Sequence, residues 1–210
     1  MNDRLPADEL ALSPAAPVDL DAKLVAALER VGQALRVQMW DVAKRHGLSP
    51  TQLQLLLRLR RDPPARRRIG VLAAELDVTH PTVSDAVAVL RRKRLVTRPA
   101  TNRKAAMGLS ARGRMLADEL ADWDRRTREQ LAGIDAADKE TALRLVLDLI
   151  AGLQNSGAIT VARMCVTCRF FRRDAHPGDA AQPHHCALVD MPLAIADLRV
   201  DCAEHEPRAA

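Results

Sequence analysis

The chain has 210 residues, 48% of them hydrophobic, and a formal net charge of +5, enough for one large domain or a domain with an appendage. Two Trp, two Phe and no Tyr leave Leu, Val and Ala to fill the core, which favours packed helices over β-sandwiches. No run of about 18 apolar residues argues for a membrane helix, and Asp3, Asp8 and Glu9 argue against a signal peptide. A cytoplasmic protein is therefore expected, with its cysteines more suited to metal or redox work than to disulfides.

Residues 1–18, with Pro6, Pro14 and Pro17, read as a flexible lead. A first helix is predicted from Asp19, because Leu20, Leu24, Leu28, Val31, Leu35, Met39 and Val42 recur at steps of three and four. Gly47 suits its C-terminal cap. A second helix should start at Ser49, with Pro50 in its first position and Gln52 completing a capping box, and should stop at Pro63 and Pro64. A third covers about Ile69 to Leu76.

The stretch "THPTVSDAVAVLRRKRLV", Thr79 to Val96, predicts a fourth helix capped by Thr79. Val83, Val87 and Leu90 fall on one face. His80, Thr82, Ser84, Asp85 and Ala88 fall on the other, and their short side chains let a helix approach base edges in a major groove. The preceding "IGVLAAELDV" supplies a supporting helix and a tight turn at Asp77.

Two short strands should follow, around a tip at Pro99 to Arg103. A long helix from Ala111 to about Gly133, capped by Ser110, and another from Ala136 to about Gln154 complete the helical part. The expected fold is thus mainly α with a small two-stranded wing. It comprises a lead (1–18), a winged helix-turn-helix domain with long dimerisation helices (19–157) and an extension (158–210).

Charge sharpens the reading. Between Arg58 and Lys104 there are thirteen Lys or Arg against four Asp or Glu. A locally basic segment in a near-neutral chain predicts a polyanion-binding surface. Arg91 and Arg92 would lie near phosphates, and Arg103 would enter an adjacent minor groove. Double-stranded DNA is the expected partner.

The order of these parts resembles the MarR family of bacterial winged helix-turn-helix regulators. "IGVLAAELDVTHPTVSDAVAVLRRKRLVTR" looks like the family's reading module entering its wing, and "GLSARGRML" like the exit into its fifth helix. The resemblance implies a homodimer on a pseudo-palindromic operator. It also implies groove contacts at His80, Pro81, Thr82 and Ser84, a wing contact at Arg103, and a small-molecule effector. Asp85 departs from the family, where a basic residue is common. A carboxylate there repels phosphate and suits a cytosine amino group. Asn102 stands where the family usually has an Asp near its Arg.

The last fifth of the chain departs further. Cys165 and Cys168 form a C-x-x-C knuckle, and Cys186 and Cys202 complete four. Four thiolates suit a closed tetrahedral zinc site or the corners of an iron–sulfur cluster. The expectation is a structural zinc, with an iron–sulfur cluster as the alternative and a thiol switch or inert cysteines behind it. Having one knuckle instead of two weakens the case for zinc. His184, His185 and His205 are possible substitute ligands.

The function expected is a dimeric DNA-binding transcriptional regulator, not an enzyme. A metal- or redox-dependent enzyme using the winged domain for partner binding is the alternative, and a protein–protein adaptor the third reading. No catalytic triad pattern, phosphate loop or H-E-x-x-H motif supports the enzyme.

Overall fold

The computed structural model describes residues 19–97 and 106–208. The chain forms two compact units divided within its first helix, one ending at Val37 and the other running from Gln38. That helix, α1, spans Leu20–Arg45. The Ala22 amide donates to Asp19 Oδ1 at 3.0 Å, so Asp19 opens it. Leu20, Leu24, Leu28 and Val31 of the first unit are exposed, whereas Met39, Val42 and Ala43 join the core of the second. Past the helix end, Gly47 takes φ 62°, the left-handed value that glycine adopts without penalty.

The predicted capping box opens α2 (Pro50–Arg61): Gln52 N–H donates to Ser49 Oγ, and Ser49 N–H to Gln52 Oε1, both at 3.2 Å. Its Leu53, Leu55, Leu56 and Leu59 are buried against α3 (Ile69–Glu75) and α4 (His80–Arg92). Each fully buried leucine contributes roughly 1.5–3 kcal/mol. Between α3 and α4, Asp77 turns the chain at φ 51°, as its short polar side chain allows.

The wing is the antiparallel pair β1 (Val96–Thr97) and β2 (Gly108–Leu109), in register Val96 to Leu109. Val96 and Leu109 turn inward and Thr97 outward. The wing tip, with Arg103, lies outside the described residues. Ser110 Oγ then accepts from Gly113 N–H at 2.9 Å and starts α5 (Ala111–Glu119).

The single long helix expected from Ala111 is broken. After α5 come a 3-10 turn at Leu120–Asp122 and a separate α6 (Arg125–Ala132). Leu120 is fully buried and Trp123 packs on the same core. Arg128 binds Asp122 at 2.6 Å and Asp124 at 2.9 Å, bracketing the break. No proline or glycine marks this position in the sequence, so propensity gave no warning of it.

α7 (Ala136–Asn155) ends before Gly157, which has φ 76°. The extension carries a three-stranded antiparallel sheet, β3 (Phe171–Arg172), β4 (His184–Cys186) and β5 (Met191–Leu193), in that order. It does not stand apart. Leu147 of α7 is fully buried with Met164, Phe171 and Leu198, and Leu143 and Ile150 pack around them. The α7 face expected to dimerise is therefore largely covered by the chain's own extension.

Candidate functional site

The reading helix is positioned by its own two faces. Thr79 caps it, accepting from Thr82 N–H at 3.3 Å, and Pro81 sits in the first turn, where a missing N–H costs nothing. Val83, Ala86, Val87 and Leu90 are buried against α2 and α3. His80, Pro81, Thr82, Ser84, Asp85 and Ala88 are exposed on the outer face. The His80 ring leans back over α3: a Cβ on Gly70 would lie 2.9 Å from its Nε2.

Arg91 and Arg92 are exposed at the C-terminal end of α4, where positive charge complements the helix dipole. Lys93 is drawn inward and donates to the Gly47 carbonyl.

The basic segment is only partly a surface. Arg58, Arg61 and Arg66 converge on Asp201 of the extension, with Arg58 at 2.7 Å and Arg66 at 3.1 Å. Arg163 joins them at 3.0 Å. Glu75, at the end of α3, takes Arg66 at 3.2 Å, Arg58 at 3.4 Å and Arg163 as well. Burial pushes the Glu75 carboxyl above its usual range, while Arg66 and Arg58 pull it back. Buried Asp62 lies beneath, 3.5 Å from Arg66. Four guanidiniums thus meet three carboxylates at a partly buried junction, with Arg61 still 58% exposed. Three arginines of the basic segment are committed to this junction. Their carboxylate partner, 135 residues or more along the chain, gave no local signal.

The four cysteines come together. Cys165, Cys168, Cys186 and Cys202 line one small hollow of about 30 Å³, walled also by Phe170, Phe171, Leu188, Leu193 and Glu204. All four are free thiols. The knuckle is a 3-10 turn, closed by Cys168 N–H on the Cys165 carbonyl at 2.9 Å. Backbone pairing places Cys202 beside it: Cys165 N–H donates to Arg199 O and Cys202 N–H to Arg163 O. Cys186 arrives on β4, opposite Phe171.

Burial pushes the Cys165 thiol up, and the charges of Cys202, Cys186 and Cys168 add to the shift. The Arg199 N–H, 3.2 Å from Cys165 Sγ, opposes this, and the Arg199 guanidinium lies 3.8 Å from Cys202 Sγ. Among the described residues, no three His, Cys, Asp or Glu side chains converge closely enough to hold a metal ion as they stand.

The candidate histidines are occupied elsewhere. His205 Nε2 pairs with Thr167 Oγ1 at 3.0 Å. His184 accepts from Asp174 N–H at 3.1 Å and meets Phe171 edge-on. His185 faces His176 and Asp190.

Trp40 and Trp123, each suited to a core or to a pocket wall, separate. Trp40 is 58% exposed. Trp123 packs on the core and lines a hollow of about 90 Å³ with Asp41, Arg45, Asp122, Arg125 and Arg126.

The sequence model of the MarR family matches residues 46–105, from the end of α1 into the wing. The winged segment is a MarR family domain. Solved structures carry the same fold. A MarR family protein from Bacillus stearothermophilus is 18% identical with a TM-score of 0.55, over 64% of this chain and 95% of its own. MepR from Staphylococcus aureus, solved in complex with DNA, is 18% identical with a TM-score of 0.54, over 62% of this chain and 98% of its own. The transcriptional regulator PA3341 is 24% identical with a TM-score of 0.54, over 63% of this chain and 98% of its own.

More than a third of this chain lies outside each alignment. No curated protein matches the sequence. Over the winged part of the chain the fold is that of MarR family proteins. Among the described residues no helix is long and apolar enough to cross a membrane.

Proposed function

We propose that the chain acts as a homodimer that reads a pseudo-palindromic operator through α4. The observation that carries this is the division of α4 itself. Its apolar face is fully committed to the core, while His80, Thr82, Ser84 and Asp85 stand exposed at its N-terminal end with Arg91 and Arg92 at the other. Short polar side chains suit base edges, and flanking guanidiniums suit phosphates. Arg103 is assigned to the wing's contact on the resemblance alone.

The dimer reading rests on α1, where Leu20, Val25 and Val31 are more than half exposed on a long helix. Apolar surface on that scale marks a protein interface. A two-fold pair of α4 helices would then match two half-sites. A small effector is part of the same reading, and the Trp123 hollow, with one aromatic wall, three arginines and two aspartates, is the place it is assigned to.

The test is selection of duplexes from a random library, followed by stoichiometry on the recovered sequence. Two chains per duplex and a consensus with two-fold symmetry support the proposal. Equal affinity for every duplex, or one chain per site, overturns it.

A further inference from the structure

We propose that Cys165, Cys168, Cys186 and Cys202 hold an iron–sulfur cluster and not a single zinc ion. The four thiols come from three separate segments: the 3-10 knuckle, the end of β4 and the loop after Arg199. Their convergence on one hollow is thus a tertiary feature and not a by-product of spacing.

The spread of the thiols separates the two centres. Tetrahedral zinc sits about 2.3 Å from each sulfur, which draws four sulfurs to within roughly 4 Å of one another. Here the four cysteines line one hollow, and no three of them close in as a single ion requires. A cluster is bound at its corners, with its own iron and sulfide filling the middle, so it needs cysteines set around a space.

The walls agree. Phe170, Phe171, Leu188 and Leu193 make most of the wall apolar, with Glu204 also on the lining, and solvent exposure is one of the properties that set a cluster's potential. Arg199 supplies two N–H donors to sulfur, one from its backbone and one from its guanidinium. Hydrogen bonds to ligand sulfurs stabilise negative charge there and tune a cluster's potential. None of the histidines that suit zinc lines the space.

Binding replaces each Sγ–H bond with an Sγ–Fe bond and releases four protons. Ferrous and ferric iron, in the proportion the cluster holds, are supplied together with sulfide, so assembly transfers no electrons and needs no separate oxidant. The cluster would also secure the extension, whose own apolar set is small for about 50 residues.

The full-length chain should be purified without air, or reconstituted without air with ferrous and ferric iron and sulfide, and assayed for metal and acid-labile sulfide. A brown protein with iron and sulfide in equal amounts, two or four of each per chain, is expected, together with a Mössbauer signature of thiolate-bound iron. Cys186→Ala should lower bound iron by at least half, with helix content by circular dichroism reporting whether the winged part remains folded. The wild-type result stands even where that variant fails to fold. A colourless protein with one zinc and no sulfide per chain overturns the proposal. So does a disulfide between any two of the four cysteines in protein kept from air. Neither assay involves DNA, so failure here leaves the DNA-binding reading untouched.

Discussion

The carboxylate of Asp201 lies 2.7 Å from the guanidinium of Arg58, closing a junction between residues 143 positions apart. Arg58 is on α2, beneath the reading module, and Asp201 directly precedes Cys202. Arg163 touches both Asp201 and Glu75, so the cysteine hollow and the end of α3 share one ion-pair network.

Asp201→Asn should loosen this junction. The lost charge leaves four guanidiniums facing two carboxylates in a partly buried setting. Breaking a fully buried pair costs about 3–5 kcal/mol, and the partial exposure here puts the loss below that range. Limited proteolysis should show faster cleavage after Gly157 with the winged core intact. Unchanged cleavage kinetics would mean that the α7 packing alone holds the extension.

Gly113→Ala should destabilise the wing. A Cβ there would lie 1.9 Å from the Leu95 carbonyl oxygen, a backbone atom that cannot rotate away. Overpacking of this kind costs about 1–3 kcal/mol. Thermal unfolding should show a clear fall in Tm, and an unchanged Tm would mean that α5 and β1 can separate enough to admit a methyl group.

Arg91→Ala and Arg92→Ala should weaken binding to all duplexes alike. The salt slope should fall by about 1 for each phosphate no longer neutralised by an arginine. Titrations between about 50 and 200 mM salt measure this. A slope identical to wild type would remove both residues from the interface.

Ser84→Ala should change which operator is preferred. A base-edge hydrogen bond supplies roughly 1–3 kcal/mol of discrimination. A repeated duplex selection that returns the wild-type consensus would exclude Ser84 from base reading. His80→Ala carries a mixed expectation, because its ring also leans on the face of Gly70.

Val25→Asp should shift the chain toward monomer and lower DNA affinity together, because a charge would replace exposed apolar surface on α1. Light scattering checks the mass. A dimer that survives the substitution would move the interface off this part of α1.

Local rules made much of the fold legible in the sequence. Ser49 with Gln52, Thr79 and Ser110 cap the helices that their residue types announced, and Asp77 and Gly47 take the left-handed turns. Each signal acts within three or four residues, through one hydrogen bond or one dihedral preference. The two faces of α4 followed from helical period alone.

Long-range pairing was decided only in the tertiary structure. An apolar stripe on α7 states that Leu147 must be covered, but not by what. Phe171 and Met164 of the extension cover it, on a face where the sequence suggests a second chain. A run of arginines states positive charge, yet Asp201 and Glu75 decide which of them face inward. Four cysteines announce a thiol centre, while their convergence, set by β4 and by the bonds of Cys165 N–H to Arg199 O and Cys202 N–H to Arg163 O, is a placement that composition and spacing do not encode.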